Sequence, residues 1–229
     1  MTELQTYDVR LKWPFTLLLV GSSKSGKSTW MRQCLRHAGD MFTSKPSHTL
    51  FYYAAWQDIY DQMSNEGLVQ EWKNECPQKE YIEQLAELHK NSGGLLVIID
   101  DFLSSVNKDI ADLFQVTSHH KSVSICFLSQ NLYHENKNYR DMKMNVNYIV
   151  LFKNPNNRNQ AARFFNQIAP EHSKALLKTY YKVTKKPYSY LLFDLHQETP
   201  DEIRIRTRIF PHESPVGLRG LVVIYAPPI

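Results

Sequence analysis

The first apolar run of the chain, Phe15-Thr16-Leu17-Leu18-Leu19-Val20, is followed at once by Gly21-Ser22-Ser23-Lys24-Ser25-Gly26-Lys27-Ser28-Thr29. The first six residues read as a buried strand. The next eight match G-x-x-x-x-G-K-[ST] in full, a phosphate-binding loop between a strand and a helix. Gly21 and Gly26 let the backbone turn so that successive N–H groups face phosphate oxygens, and the helix opening at Lys27 presents its positive end to them. Lys27 then reaches the β- and γ-phosphates, and the Ser28 hydroxyl ligates Mg²⁺. Ser22, Ser23, Lys24, Ser25 and Thr29 complete the expected nucleotide-binding set, with ATP and Mg²⁺ as ligands.

Outward from this loop, apolar runs alternate with segments of helical period. Strands are expected at Phe15–Val20, Thr49–Ala54, Leu95–Ile99, Val123–Ser129 and Tyr148–Phe152. Helices are expected at Lys27–Ala38, Gln57–Lys73, Lys79–His89, Ile110–Ser118, Asn157–Ile168 and Glu171–Val183. The strands are near-continuous apolar runs, as when helices cover both faces of a parallel sheet. The fold class is therefore α/β, a P-loop NTPase with a mostly parallel central sheet flanked by helices. Beyond Pro187, Tyr188–Leu195 and Ile203–Ile209 form a C-terminal β-hairpin around a Gln197–Asp201 turn. Residues 1–210 are expected as the ATPase domain and 211–229 as an extended arm, whose apolar piece Leu221–Tyr225 needs a covering surface such as a neighbouring subunit.

Leu95-Leu96-Val97-Ile98-Ile99-Asp100-Asp101 is a buried strand ending in two carboxylates, at the edge where a parallel sheet meets its ligands. Asp100 is the expected Mg²⁺-orienting acid and Asp101 the group that polarises the attacking water; the alternative for Asp101 is a cap on the turn at Phe102. Gln130, after Val123–Ser129, is an amide able to donate to a phosphate and accept from that water, or else half of a turn-forming Gln130-Asn131 pair. Arg140, in a polar loop Tyr133–Asp141, is the first candidate for offsetting transition-state charge, with Arg158 and Arg163 as alternatives. Lys174, Lys178 and Lys182 stack on one helix face and Lys185 and Lys186 extend the row, either a phosphate-tracking ridge or an ordinary solvated face. His119-His120 has no accompanying acid or cysteine cluster, so no zinc site is expected there.

At 229 residues, 42% hydrophobic and 22% charged, the chain can bury a sizeable core and is neither disordered nor fibrous. No apolar run reaches membrane-spanning length and no signal-peptide pattern opens the chain, so an intracellular protein is expected. Cys34, Cys76 and Cys126 show no metal-ligand spacing and are read as reduced thiols. Gln57–Gly94 carries eight acids against three lysines, which leaves +9 for the remainder of a chain whose formal charge is +4. That remainder suits a polyanion.

The loop Gly21–Ser28, Ile98-Ile99-Asp100-Asp101 and residues 118–132 together resemble the FtsK/HerA-like genome-packaging ATPases of poxvirus-related large DNA viruses and Polinton- or adintovirus-like elements. The likeness extends through Tyr148–Pro155 and Lys186–Leu195. It implies a homo-oligomeric ring that hydrolyses ATP to drive double-stranded DNA into a preformed capsid. The ring would meet a capsid or vertex protein, without a membrane, in the cytoplasm or nucleus of an infected cell or associated with the virion. It matches Gln130 to the family's polar sensor and favours Arg140 as a finger acting on the neighbouring subunit. The wider group often has Glu where this chain has the shorter Asp101. A helicase or loader-type ATPase and a non-hydrolysing assembly module share the same loop and acids.

Overall fold

A computed structural model describes residues 7–117, 122–213 and 222–223. Its nine strands form one sheet in the order β3-β2-β4-β5-β1-β6-β7-β8-β9. They are β1 (Thr16–Val20), β2 (His48–Tyr53), β3 (Glu71–Lys73), β4 (Leu95–Asp100), β5 (Val123–Ser129), β6 (Tyr148–Phe152), β7 (Tyr190–Asp194), β8 (Ile205–Thr207) and β9 (Val222–Val223). The pairs from β3 to β6 are parallel and those from β6 to β9 antiparallel.

The central strands are buried on both faces, which is why they read as unbroken apolar runs. Along β1 successive side chains divide between two cores. Leu17 and Leu19 join Trp30, Met31 and Cys34 of the helix Lys27–Arg36. Leu18 and Val20 meet Ile82 and Ala86 of the helix Lys79–His89, together with Tyr139, Phe165 and Tyr180 from three later helices. β1 lies between β5 and β6, so its C-terminal end opens in the middle of the ligand-facing edge.

The expected helix Gln57–Lys73 is shorter than its apolar period suggested. It spans Asp58–Asn65, and Glu71–Lys73 forms the parallel edge strand β3 instead. Gly67 ends the helix: at φ +64° its N–H donates to the Ser64 carbonyl at 3.0 Å, and the Leu68 N–H reaches back to the Met63 carbonyl at 3.0 Å. Trp72 then lies against Phe51 with ring centroids 4.8 Å apart, a cross-strand aromatic pair that favours the strand.

Two further corrections concern helices. The loop expected at Tyr133–Asp141 contains most of a helix, Lys137–Met144. The Asn136 side chain accepts from the Tyr139 N–H, and Tyr139 and Met142 are buried one turn apart. The segment expected as a helix from Ile110 begins earlier, at Lys108, and continues past Asp112 as a π-helical turn, Leu113–Thr117. Ser118 and the pair His119-His120 lie outside the described residues.

The C-terminal hairpin forms as expected, with Leu192 opposite Arg206, but its second strand is only Ile205–Thr207 and is preceded by a helical turn, Asp201–Arg204. Within the arm, Val222–Val223 pairs with β8 of the same chain, and the rest of the arm from residue 214 on lies outside the described residues. Strand pairing satisfies backbone groups there that an isolated arm would leave to solvent.

Candidate active site

Strand register assembles the site. Val20 pairs with Ser129, and Asp100 pairs with both Leu128 and Tyr53. The loop after β1, the acids ending β4 and the amide after β5 therefore share one edge. They surround a cavity of about 610 Å³ lined by Lys27, Ser28, Asp100, Asp101 and Gln130 among others. Lys24, Ser25, Gly26 and Thr29 also line it. Gly26 has φ +105°, a backbone conformation that side-chain-bearing residues rarely adopt.

Lys27 Nζ donates to the carbonyls of Gly21 at 2.8 Å and Ser22 at 3.1 Å, so the ammonium is folded onto its own loop. Burial pulls its pKa down, while the charges of Asp100 and Asp101 oppose that fall. Ser25 Oγ is buried and has no hydrogen-bond partner among the described residues. Such an orphan suits a ligand oxygen in the loop.

Asp100 is 4% exposed, and its Oδ2 accepts two hydroxyls, Ser28 Oγ at 3.0 Å and Tyr60 Oη at 2.7 Å. Burial raises its pKa; the hydrogen bonds from Tyr60 and Ser28 and the charge of Lys27 only partly oppose this. Asp101 has φ +67°, and its Oδ1 accepts from Gln130 Nε2 at 3.2 Å. The Gln130 carbonyl in turn accepts from Asn154 Nδ2 at 3.3 Å. Gln130 thus spans the distance between the second acid and the loop after β6.

Arg140 is exposed on the helix Lys137–Met144 and does not line this cavity. Arg158 and Arg163 are exposed as well, and Arg163 stacks over the Tyr133 ring at 4.2 Å. The structure therefore brings Lys27, Ser28, Asp100, Asp101 and Gln130 together and leaves all three arginines outside the cavity of their own chain. Lys174, Lys178, Lys182, Lys185 and Lys186 are all exposed.

Sequence reasoning missed Tyr60, Gln57 and Tyr188. Tyr60 is fully buried, and Gln57 Nε2 donates to its hydroxyl at 2.8 Å. The Tyr53–Asp100 pairing puts the segment after β2 beside the end of β4. That placement follows from strand order, so no local motif marks it.

Ser28 Oγ and the Asp100 carboxylate are adjacent hard oxygen donors, a set that fits Mg²⁺. Among the described residues no cluster of three or more His, Cys, Asp or Glu side chains is built to hold a metal alone, so a metal here would take further ligands from phosphate or water. Also among them, no helix is long and apolar enough to cross a membrane.

Solved structures share this fold. The genome packaging NTPase B204 from Sulfolobus turreted icosahedral virus 2, in complex with ATP-gammaS, is 18% identical, covering 85% of this chain and 96% of its own, with a TM-score of 0.52. The same protein in complex with AMPPCP gives 17% and 0.53. The cytoplasmic domain of the Thermomonospora curvata Type VII Secretion ATPase EccC is 17% identical over 90% of this chain and 26% of its own, with a TM-score of 0.54. No curated protein matches the chain at a significant level. The family model described as Poxvirus A32 protein matches residues 3–179, most of the chain and all of the cavity's loop, acids and amide, and the chain belongs to that family.

Proposed function

We propose that the chain is an ATP-hydrolysing motor that moves double-stranded DNA into a viral capsid. The carrying observation is the convergence of Lys27, Ser28, Asp100, Asp101 and Gln130 on one cavity, in a chain of the A32 family. Family membership and the fold shared with B204 support packaging over other uses of the same loop.

The loop binds the triphosphate through backbone N–H groups and the N-terminus of the helix Lys27–Arg36. Lys27 exchanges the carbonyls of Gly21 and Ser22 for phosphate oxygens. Ser28 and Asp100 would hold Mg²⁺, which when bound supplies positive charge against the phosphate oxygens. Tyr60 fixes Asp100 from behind through its 2.7 Å hydrogen bond, so the carboxylate is positioned before ligand arrives. Asp101 orients and polarises the attacking water. Gln130, already bonded to Asp101, senses the terminal phosphate and shifts when that phosphate leaves.

Arg140, exposed on a helix outside its own cavity, serves the site of the adjacent subunit in a ring. The exposed lysines of the helix Ser173–Val183 meet DNA through its phosphates, without base readout. Such a motor works in an infected cell. The test is ATP turnover by a mass-resolved oligomer with and without long duplex DNA. Turnover stimulated by DNA and abolished by Lys27→Ala is expected; an assembled ring that leaves ATP intact in both conditions would overturn the reading.

A further inference from the structure

The direction in which a nucleotide must lie follows from the sheet. Asp100, Asp101 and Gln130 stand at the ends of β4 and β5, on one side of β1, whereas β6 and β7 stand on the other. A terminal phosphate at the acids leaves the ribose and base to exit the loop toward β6 and β7. Tyr188, two residues before β7, lines the cavity on that side.

Tyr188 is 72% exposed, among the most exposed large apolar side chains described. It nevertheless packs on the loop: a Cβ added to Gly26 would lie 3.3 Å from Tyr188 Cδ1 and 3.5 Å from its Cβ. The residue sits in a turn closed by the Ser189 N–H donating to the Lys186 carbonyl at 3.3 Å, with Pro187 in the second position and Tyr188 in the third at φ +64°. That third position normally takes Gly or Asn, because a left-handed backbone strains other side chains. Neither the turn nor the core gains from a tyrosine here. Beyond its contact with Gly26, the ring leaves most of its surface open at the edge of the cavity, where a flat apolar ligand can cover it.

Resting on the nucleotide-binding reading above, we propose that Tyr188 is the stacking platform for the base of ATP, setting affinity through π-surface contact at the exit of the phosphate loop. Base–aromatic stacking tolerates any base because every base has a π-face, so the platform holds the nucleotide without identifying it.

Calorimetric binding of ATP-gammaS and of inorganic tripolyphosphate to the full chain separates the base from the phosphates. Tyr188→Ala is expected to weaken ATP-gammaS about tenfold. Tripolyphosphate binding should stay unchanged, and Tyr188→Phe should restore the wild-type value for ATP-gammaS. Wild-type ATP-gammaS affinity in Tyr188→Ala, or an equal loss for both ligands, would overturn the platform alone. A wild-type chain that binds neither ligand would remove the nucleotide reading and the platform together.

Discussion

At Asp100 function and stability pull against each other. Burial holds its pKa above the ordinary carboxylate value, against the hydrogen bonds from Tyr60 and Ser28 and the charge of Lys27. An acid whose folded pKa lies above its unfolded value, about 3.9, weakens the fold once pH passes that unfolded value. Asp100→Asn removes the ionisation while keeping an oxygen for both hydroxyls. ATP turnover is expected to vanish, while the melting temperature at pH 7 rises by about 2–4 °C for each kcal/mol relieved. The rise should shrink as pH is lowered toward 4, which thermal melts across that range would show. A variant that melts lower than wild type at pH 7 would mean that the carboxylate supports the fold.

At the scale of single elements, Gly67 carries the change from helix to edge strand. Its φ of +64° is a left-handed conformation, and a Cβ there would meet nothing within 4 Å, so Gly67→Ala adds backbone strain without a clash. A loss of about 1 kcal/mol in urea unfolding is expected, with an unchanged slope. This junction also shows what was legible beforehand. β1, β4, β5 and β6 are long apolar runs whose burial on both faces is written in composition, and the acids of β4 end one such run. β3 has three half-buried residues, Glu71, Trp72 and Lys73, inside a stretch of helical period, and only the breaking glycine signals it. The helix Lys137–Met144 buries only Tyr139 and Met142, while its third apolar residue, Met144, is exposed, so its inner face is too narrow to stand out. Tyr60 and Tyr188 join the site through strand order, which no window of sequence contains.

For the molecule as a whole, the last strands of the sheet are held together by a buried ion pair between β7 and β8, inside its antiparallel end. Arg206 Nη2 donates to Asp194 Oδ2 at 3.0 Å, with the side chains 2% and 5% exposed. Arg206 also donates to the Val9 carbonyl, joining β8 to the first described residues of the chain. Burial opposes ionisation of Asp194, but its hydrogen bond from His196 and the charge of Arg206 prevail and hold its pKa below 3.8. Its contribution is present at neutral pH and disappears as pH falls through that lowered value. Arg206→Met is expected to cost about 3–5 kcal/mol, since it strands a buried carboxylate, and Asp194→Asn added to it should recover part of the loss. Denaturant unfolding of the single and double variants gives both values.

Tyr60 links the buried acid to an indole pair. Its ring centroid is 5.5 Å from Trp56 and 5.5 Å from Trp72, which are 5.1 Å from each other. The buried acid thus stands one hydrogen-bonded phenol away from two natural fluorophores. Tryptophan emission is therefore expected to shift when ATP-gammaS is added to the unlabelled chain, and to shift less in Trp56→Phe or Trp72→Phe.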